Sequence, residues 1–217
     1  MTKAEKTFRA LRQQMMTSEL PPGSTVSERM LAERLDVGMS PVRVAIHRLA
    51  AEGFLAIESR RGIRVSKYSV QDVADLFQVR VAMEQLVMQN IAGTLRQPQI
   101  ELLTESLERY RAAASIPDID AMIVADFSFH RRLAEFHGNQ QLSFILDRTL
   151  DSLYREIRNS MNVRTRREQR LSEHQHMIDS LIRGDAHAAG QSLVGHLQSG
   201  QRFVMTGTAD SSLISGG

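Results

Sequence analysis

Apolar residues recur at helical spacing over most of this chain. Phe8, Leu11, Met15 and Met16 share one face, and "ELPPG" then stops the pattern, because proline suits no helix interior; a helix is predicted over about residues 4–17. Ser27 is placed to cap a short helix ending near Leu35, "DVG" makes a tight turn, and Ser40 is expected to cap a second helix with Pro41 at its first position, closed by Gly53. The runs "FLAIE" and "IRVS" read as short strands, separated by "SRRG", the composition of a hairpin with a basic tip.

From Ser69 the period is helical with no convincing strand. The breaks "GTLRQP", "SIPD", "HGNQ", an arginine-rich polar stretch around 159–168 and "RGD" divide it into six helices, expected over 70–92, 98–114, 119–137, 140–158, 168–183 and 186–204. The fold class is therefore mainly α: a winged helix-turn-helix over residues 1–68, an all-helical bundle over 69–206, and a small, polar tail at 207–217 that is expected to be disordered.

Charge sharpens this division. Residues 1–70 carry 12 Lys/Arg against 7 Asp/Glu, whereas the rest carry 15 against 18, so the basic excess sits where helix, turn, helix and basic hairpin would meet an acidic polymer. The 217 residues, 42% of them hydrophobic, suffice for a sizeable core. There is no cysteine, which excludes disulfides and suits a reducing cytoplasm, and the charged start "MTKAEKTFRALRQQMM" holds no apolar run of signal-peptide or membrane-span length. A cytoplasmic protein with no membrane contact is expected.

Candidate chemistry lies in the helical half. In "ADFSFHRRLAEFHGN", Asp126 and His130 point only about 40° apart on a helix and share a face with Met122, Phe129 and Leu133, so both should be buried. His174 lies ten residues before the Gly184–Asp185 turn and His196 eleven after it, at similar height on two antiparallel helices. One carboxylate and three imidazoles could thus converge as an oxygen–nitrogen donor set suited to zinc, nickel, cobalt, manganese or iron. Singly, a histidine on an apolar face is more often a hydrogen-bonded core residue than a ligand, and Asp126 could pair with an arginine; spacing leaves both readings standing. His176 and His187 are expected at the surface, His137 at carbonyls ending its helix, and His47 at a phosphate or in solvent.

"LPPGSTVSERMLAERLDVGMSPVRVAIHRLAAEGFLAIESRRGIRV" resembles the DNA-binding domain of the GntR family of bacterial transcription regulators over nearly all of residues 8–66. The remainder is similar to the helical FCD effector domain of the FadR subfamily, in its "VRVAMEQL" start, its Asp-x-x-x-His pair, its Glu-His pair and a last histidine after the Gly-Asp turn; six helices resemble the shorter VanR-like form. The resemblance implies one divalent metal per chain, zinc first, on Asp126, His130, His174 and His196. It implies a homodimer that binds a palindromic operator in double-stranded DNA and answers to a small carboxylic acid held near the metal, acting as a repressor. By the same resemblance Arg29, Arg43, Arg61 and Gly62 contact DNA, Ser40 meets a phosphate, and Arg80 pairs with the effector, unless it is a structural ion pair with Glu84.

Two departures bear on operator preference. Gly38, Met39 and Ser40 stand where Ser-Arg-Thr is usual, and Val44 follows Pro-Val-Arg where glutamate is usual. An enzyme is not expected: metal-dependent hydrolysis needs a general base beside the metal, and Glu173, the nearest candidate, is turned about 100° from its ligand neighbour. A purely structural metal is the remaining alternative.

Overall fold

The computed structural model describes residues 1–58, 62–116, 118–160 and 167–210, without the side chains of 159–160, 167 and 207–210. The chain forms two compact units, Met1–Ser69 and Val70–Gly217.

In the first unit, α1 (Lys3–Met16) starts on Thr2, whose hydroxyl accepts from the Glu5 amide, and turns Phe8, Leu11 and Met15 inward. The strand β1 (Thr25–Val26) follows, and then α2 (Glu28–Leu35), whose first turn is capped by Ser27 accepting from the Met30 amide at 3.1 Å. Asp36, left-handed at φ 49°, ends α2. The next helix, α3, runs Met39–Ala51 with Gly38 as its cap, so Ser40 and Pro41 are its second and third residues rather than cap and first residue. The left-handed Asp36 already turns the chain, and proline is tolerated because no amide in a helix's first turn has an intrahelical partner.

The strands β2 (Leu55–Glu58) and β3 (Gly62–Val65) form the expected hairpin, paired from Leu55↔Val65 to Glu58↔Gly62. β1 adds to its other edge, Thr25 opposite Arg64, giving a three-stranded antiparallel sheet in the order β1-β3-β2. Two residues show no alternation, so that strand had no signature in the sequence. Leu11, Leu31, Val42, Ile46, Leu49 and Val65 form one core beneath helices and wing.

The second unit holds α4 (Val70–Ile91), α5 (Gln97–Ser115), α6 (Ile119–His137), α7 (Gln140–Ser160), α8 (Arg167–Arg183) and α9 (Ala186–Asp210). α4 packs along α9, α5 against α6 and α8, and α7 against α6. Asp118 caps α6 by accepting from the Ala121 amide, and left-handed Gly138 ends it. α9 continues to Asp210, past the start of the polar tail expected over 207–217; the last seven residues lie outside the described ones.

Two glycines set the ends of this bundle against each other. Gly93, after α4, and Gly184, between α8 and α9, both have positive φ (72° and 73°), and a Cβ on either would meet the other's Cα at 3.1–3.3 Å. The Gly93 amide donates to the Leu181 carbonyl at 2.9 Å. With the α8–α9 turn pinned there, Asp185 caps α9 through the Ala188 amide, and the two helices run back antiparallel.

Candidate metal centre

Asp126 and His130 lie one turn apart on the inner face of α6, His174 on α8 and His196 on α9. All four are buried, and one ligand atom from each lies within 4.8 Å of the others. His130 Nε2 is 3.3 Å from His196 Nε2, while Asp126 Oδ1 is 3.4 Å from His174 Nε2 and 4.0 Å from His196 Nε2. Phe129 stacks on the His174 ring at 4.5 Å and Tyr110 meets it edge-on, so that imidazole is oriented by aromatic packing.

Charged groups enclose the cluster. Arg170 Nη1 donates to Asp126 Oδ1 at 3.1 Å. Arg80, on α4, donates through Nε to Glu84 at 2.7 Å, and Glu84 Oε2 lies 2.5 Å from His130 Nδ1, off the ideal hydrogen-bond line. Glu173 Oε2 lies 2.7 Å from His196 Nδ1. The 100° that turns Glu173 from its neighbour His174 thus delivers it to a histidine of the adjacent helix.

Glu84 and Arg170 were not among the expected site residues. Both had a legible signal: Arg170 precedes His174, and Glu84 follows Arg80, by four residues, on one helix face.

Burial alone would raise the Asp126 pKa, but the Arg170 charge and its other neighbours outweigh it and hold it down to about 2. Glu84 is likewise held at about 2, its burial outweighed by Arg80 and His130. Burial pushes His174 down to about 3 and His196 well below its ordinary value. Ionised carboxylate and neutral imidazole are the forms that bind a metal.

The residues fit a cation. Both ring nitrogens of His174 are buried with no hydrogen-bond partner, an arrangement that costs about 1–3 kcal/mol per unsatisfied group. A cation accepting the lone pair that faces Asp126 would satisfy one of them. Three imidazole nitrogens and a carboxylate oxygen match zinc, nickel, cobalt, manganese or iron. The remaining histidines lie elsewhere: His47, His176 and His187 are exposed, and His137 meets Asn90 on α4 at 3.1 Å rather than the helix-end carbonyls.

In the first unit, Arg29 on α2 is paired with Glu33 at 2.8 Å, and Arg43 on α3 with Glu28 at 2.7 Å; all four are solvent-accessible. Such exposed pairs contribute about 0–1 kcal/mol. Ser40 is exposed in the first turn of α3. Gly62 opens β3 in the left-handed region at φ 86°, and Arg61 lies outside the described residues.

Residues 3–65 match the model of the bacterial regulatory proteins of the gntR family, and residues 75–199 that of the FCD domain. The chain is 27% identical over 195 residues to the HTH-type transcriptional repressor RspR of Escherichia coli, covering 89% of this chain and 85% of that one. It is 24% identical over 190 residues to the HTH-type transcriptional regulator YdhC of Bacillus subtilis, covering 87% and 85%. The solved structure of E. coli McbR/YncC shares the fold with a TM-score of 0.81 at 17% identity, covering 95% of this chain and 98% of that one. Among the described residues no helix is long and apolar enough to cross a membrane. A winged helix-turn-helix and a helical bundle with a buried Asp/His cluster, each matched by its own family model, make this chain a DNA-binding transcription regulator of the GntR family with an FCD domain, and not an enzyme.

Proposed function

We propose that the protein is a cytoplasmic, homodimeric repressor that leaves or rearranges on a palindromic operator when a small carboxylic acid binds beside a divalent metal. The observation that carries this reading is the buried donor set of Asp126, His130, His174 and His196, with its His174 nitrogens unsatisfied. Those four residues would hold the metal, zinc first among the candidates, and the metal would supply a Lewis-acidic anchor for the effector's carboxylate. Arg80 supports the same reading: its side chain is 2% exposed, its Nε is engaged by Glu84, and its Nη2 is buried without a partner, leaving a donor for an anion.

On DNA, Arg43 would read bases or hold phosphate from α3, Ser40 would meet a phosphate at the helix start, Arg29 would hold the backbone from α2, and Arg61 and Gly62 would form the wing tip in the minor groove. Effector binding would bias the bundle between two arrangements and so change the spacing of the two reading heads.

The test is elemental analysis of untagged protein, wild type beside a His130→Ala/His174→Ala variant. About one metal per chain, lost in the variant, is expected. A screen of small carboxylic acids for release from operator DNA then follows. No metal in the wild type after supply of zinc, nickel and manganese would overturn the metal reading. DNA binding indifferent to every acid would leave the metal a structural role.

A further inference from the structure

The three candidate imidazoles are not held alike. His196 presents Nδ1 to Glu173 at 2.7 Å and Nε2 to the cluster, and His130 presents Nδ1 to Glu84 and Nε2 to the cluster. His174 has no carboxylate on its outer nitrogen and is held by Phe129 and Tyr110. We infer that Glu173 is a positioning residue, which keeps the proton of His196 on Nδ1 and thereby turns a bare Nε2 toward the metal. The inference deepens the metal reading above and rests on it only for its affinity readout.

The chemistry is that of a neutral imidazole between two demands. An ionised carboxylate only accepts, so the nitrogen facing it must carry the hydrogen, and the other nitrogen then carries a lone pair. With Glu173 at Nδ1, His196 turns its Nε2 into the cluster, 3.3 Å from the like nitrogen of His130. A bare Nε2 there can accept a hydrogen from the facing ring or a lone-pair bond to a cation. The carboxylate behind the His196 ring also raises its basicity toward a metal.

The two carboxylates differ in how they are themselves held. Glu84 is buried, at 3% side-chain exposure, and answers to Arg80. Glu173 is 19% exposed and takes a second hydrogen bond from the Gln169 side chain at 2.9 Å, one turn away on the same helix. Replacing Glu84 strands a buried guanidinium and endangers the fold. Replacing Glu173 does not, and that residue is therefore the one to test.

The test uses full-length wild type, Glu173→Ala and Glu173→Gln. Histidine tautomers are read from long-range 1H–15N correlation spectra of the metal-free proteins, and zinc affinity by competition with a chromogenic chelator. In the wild type His196 should show the Nδ1–H form. Glu173→Ala should lose that form and bind zinc about 10–100-fold more weakly. Glu173→Gln, whose amide oxygen still accepts from Nδ1, should keep the tautomer and recover much of the affinity. An Nε2–H tautomer in the wild type, or wild-type affinity in Glu173→Ala, would overturn the inference, as would complete loss of zinc from both variants, which would make Glu173 a ligand. A wild type that binds no zinc refutes the metal reading alone, and the tautomer spectra still decide this one.

Discussion

Arg170 and Asp126, on adjacent stretches of α8 and α6, share a buried hydrogen bond of 3.1 Å whose acceptor oxygen is the one that faces His174 and His196. The carboxylate that would bind the metal is thus already neutralised by a guanidinium. Arg170→Gln removes that charge and leaves Asp126 with fewer positive neighbours in a dry site. Removing one partner of a buried pair costs about 3–5 kcal/mol, and urea unfolding of the metal-free protein should show a loss of that order, partly restored by zinc. An unchanged midpoint would mean that water reaches Asp126.

Acid should act in two stages on the metal-free protein. His174 is pushed down to about 3 from its ordinary 6.5, so the unfolded chain binds its proton first. The stability that this neutral ring contributes is complete above about pH 6.5 and falls as pH drops toward 3, by up to about 1.4 kcal/mol per pH unit for each such imidazole. Asp126 and Glu84, held at about 2, stay ionised in the folded state through that range and add their own loss only below about pH 4. Unfolding free energies measured between pH 7 and 5 should therefore decline, and His174→Gln should flatten the decline. A flat wild-type profile would show that the ring is not shielded from water.

Gly184→Ala should destabilise the protein more than Gly138→Ala. Both sites have positive φ (73° and 80°), which costs an alanine about 1 kcal/mol or more, but only at Gly184 does the new methyl meet backbone, the Gly93 Cα at 3.3 Å. Thermal melts of the two variants give the comparison, and equal losses would mean that the two turns move apart at no cost.

Arg43→Ala should weaken operator binding without changing the melting temperature beyond the small worth of its exposed pair with Glu28. If Arg43 reads a base, the loss is about 1–3 kcal/mol and preference relaxes at one position. If it holds phosphate, the salt slope of binding falls by about one and all sequences weaken alike. Affinity unchanged at every salt concentration would remove Arg43 from the interface.

Much of the fold and of the site is legible in the sequence. The α6 span of 119–137 follows from the "SIPD" break, the Met122/Phe129/Leu133 face and Gly138, and the similar height of His174 and His196 follows from counting along two helices from one turn. What spacing could not reach were contacts between helices: Glu173 on His196 and Glu84 on His130 depend on packing, which no single-helix period encodes. β1 escaped because two residues have no period, and the start of α3 because a left-handed Asp36 did the turning that Ser40 and Pro41 were expected to do.

The polar knot at the centre of the bundle also governs how the helices can move. Three pairs join different helices at one height: Glu84 with His130, Arg170 with Asp126 and Glu173 with His196. A slide of one helical turn, about 5.4 Å, would part these pairs at the cost of an unpaired buried charge. Sliding of one helix along another is therefore costly in this bundle. Tilting a helix about such a pair separates its charges less than sliding does.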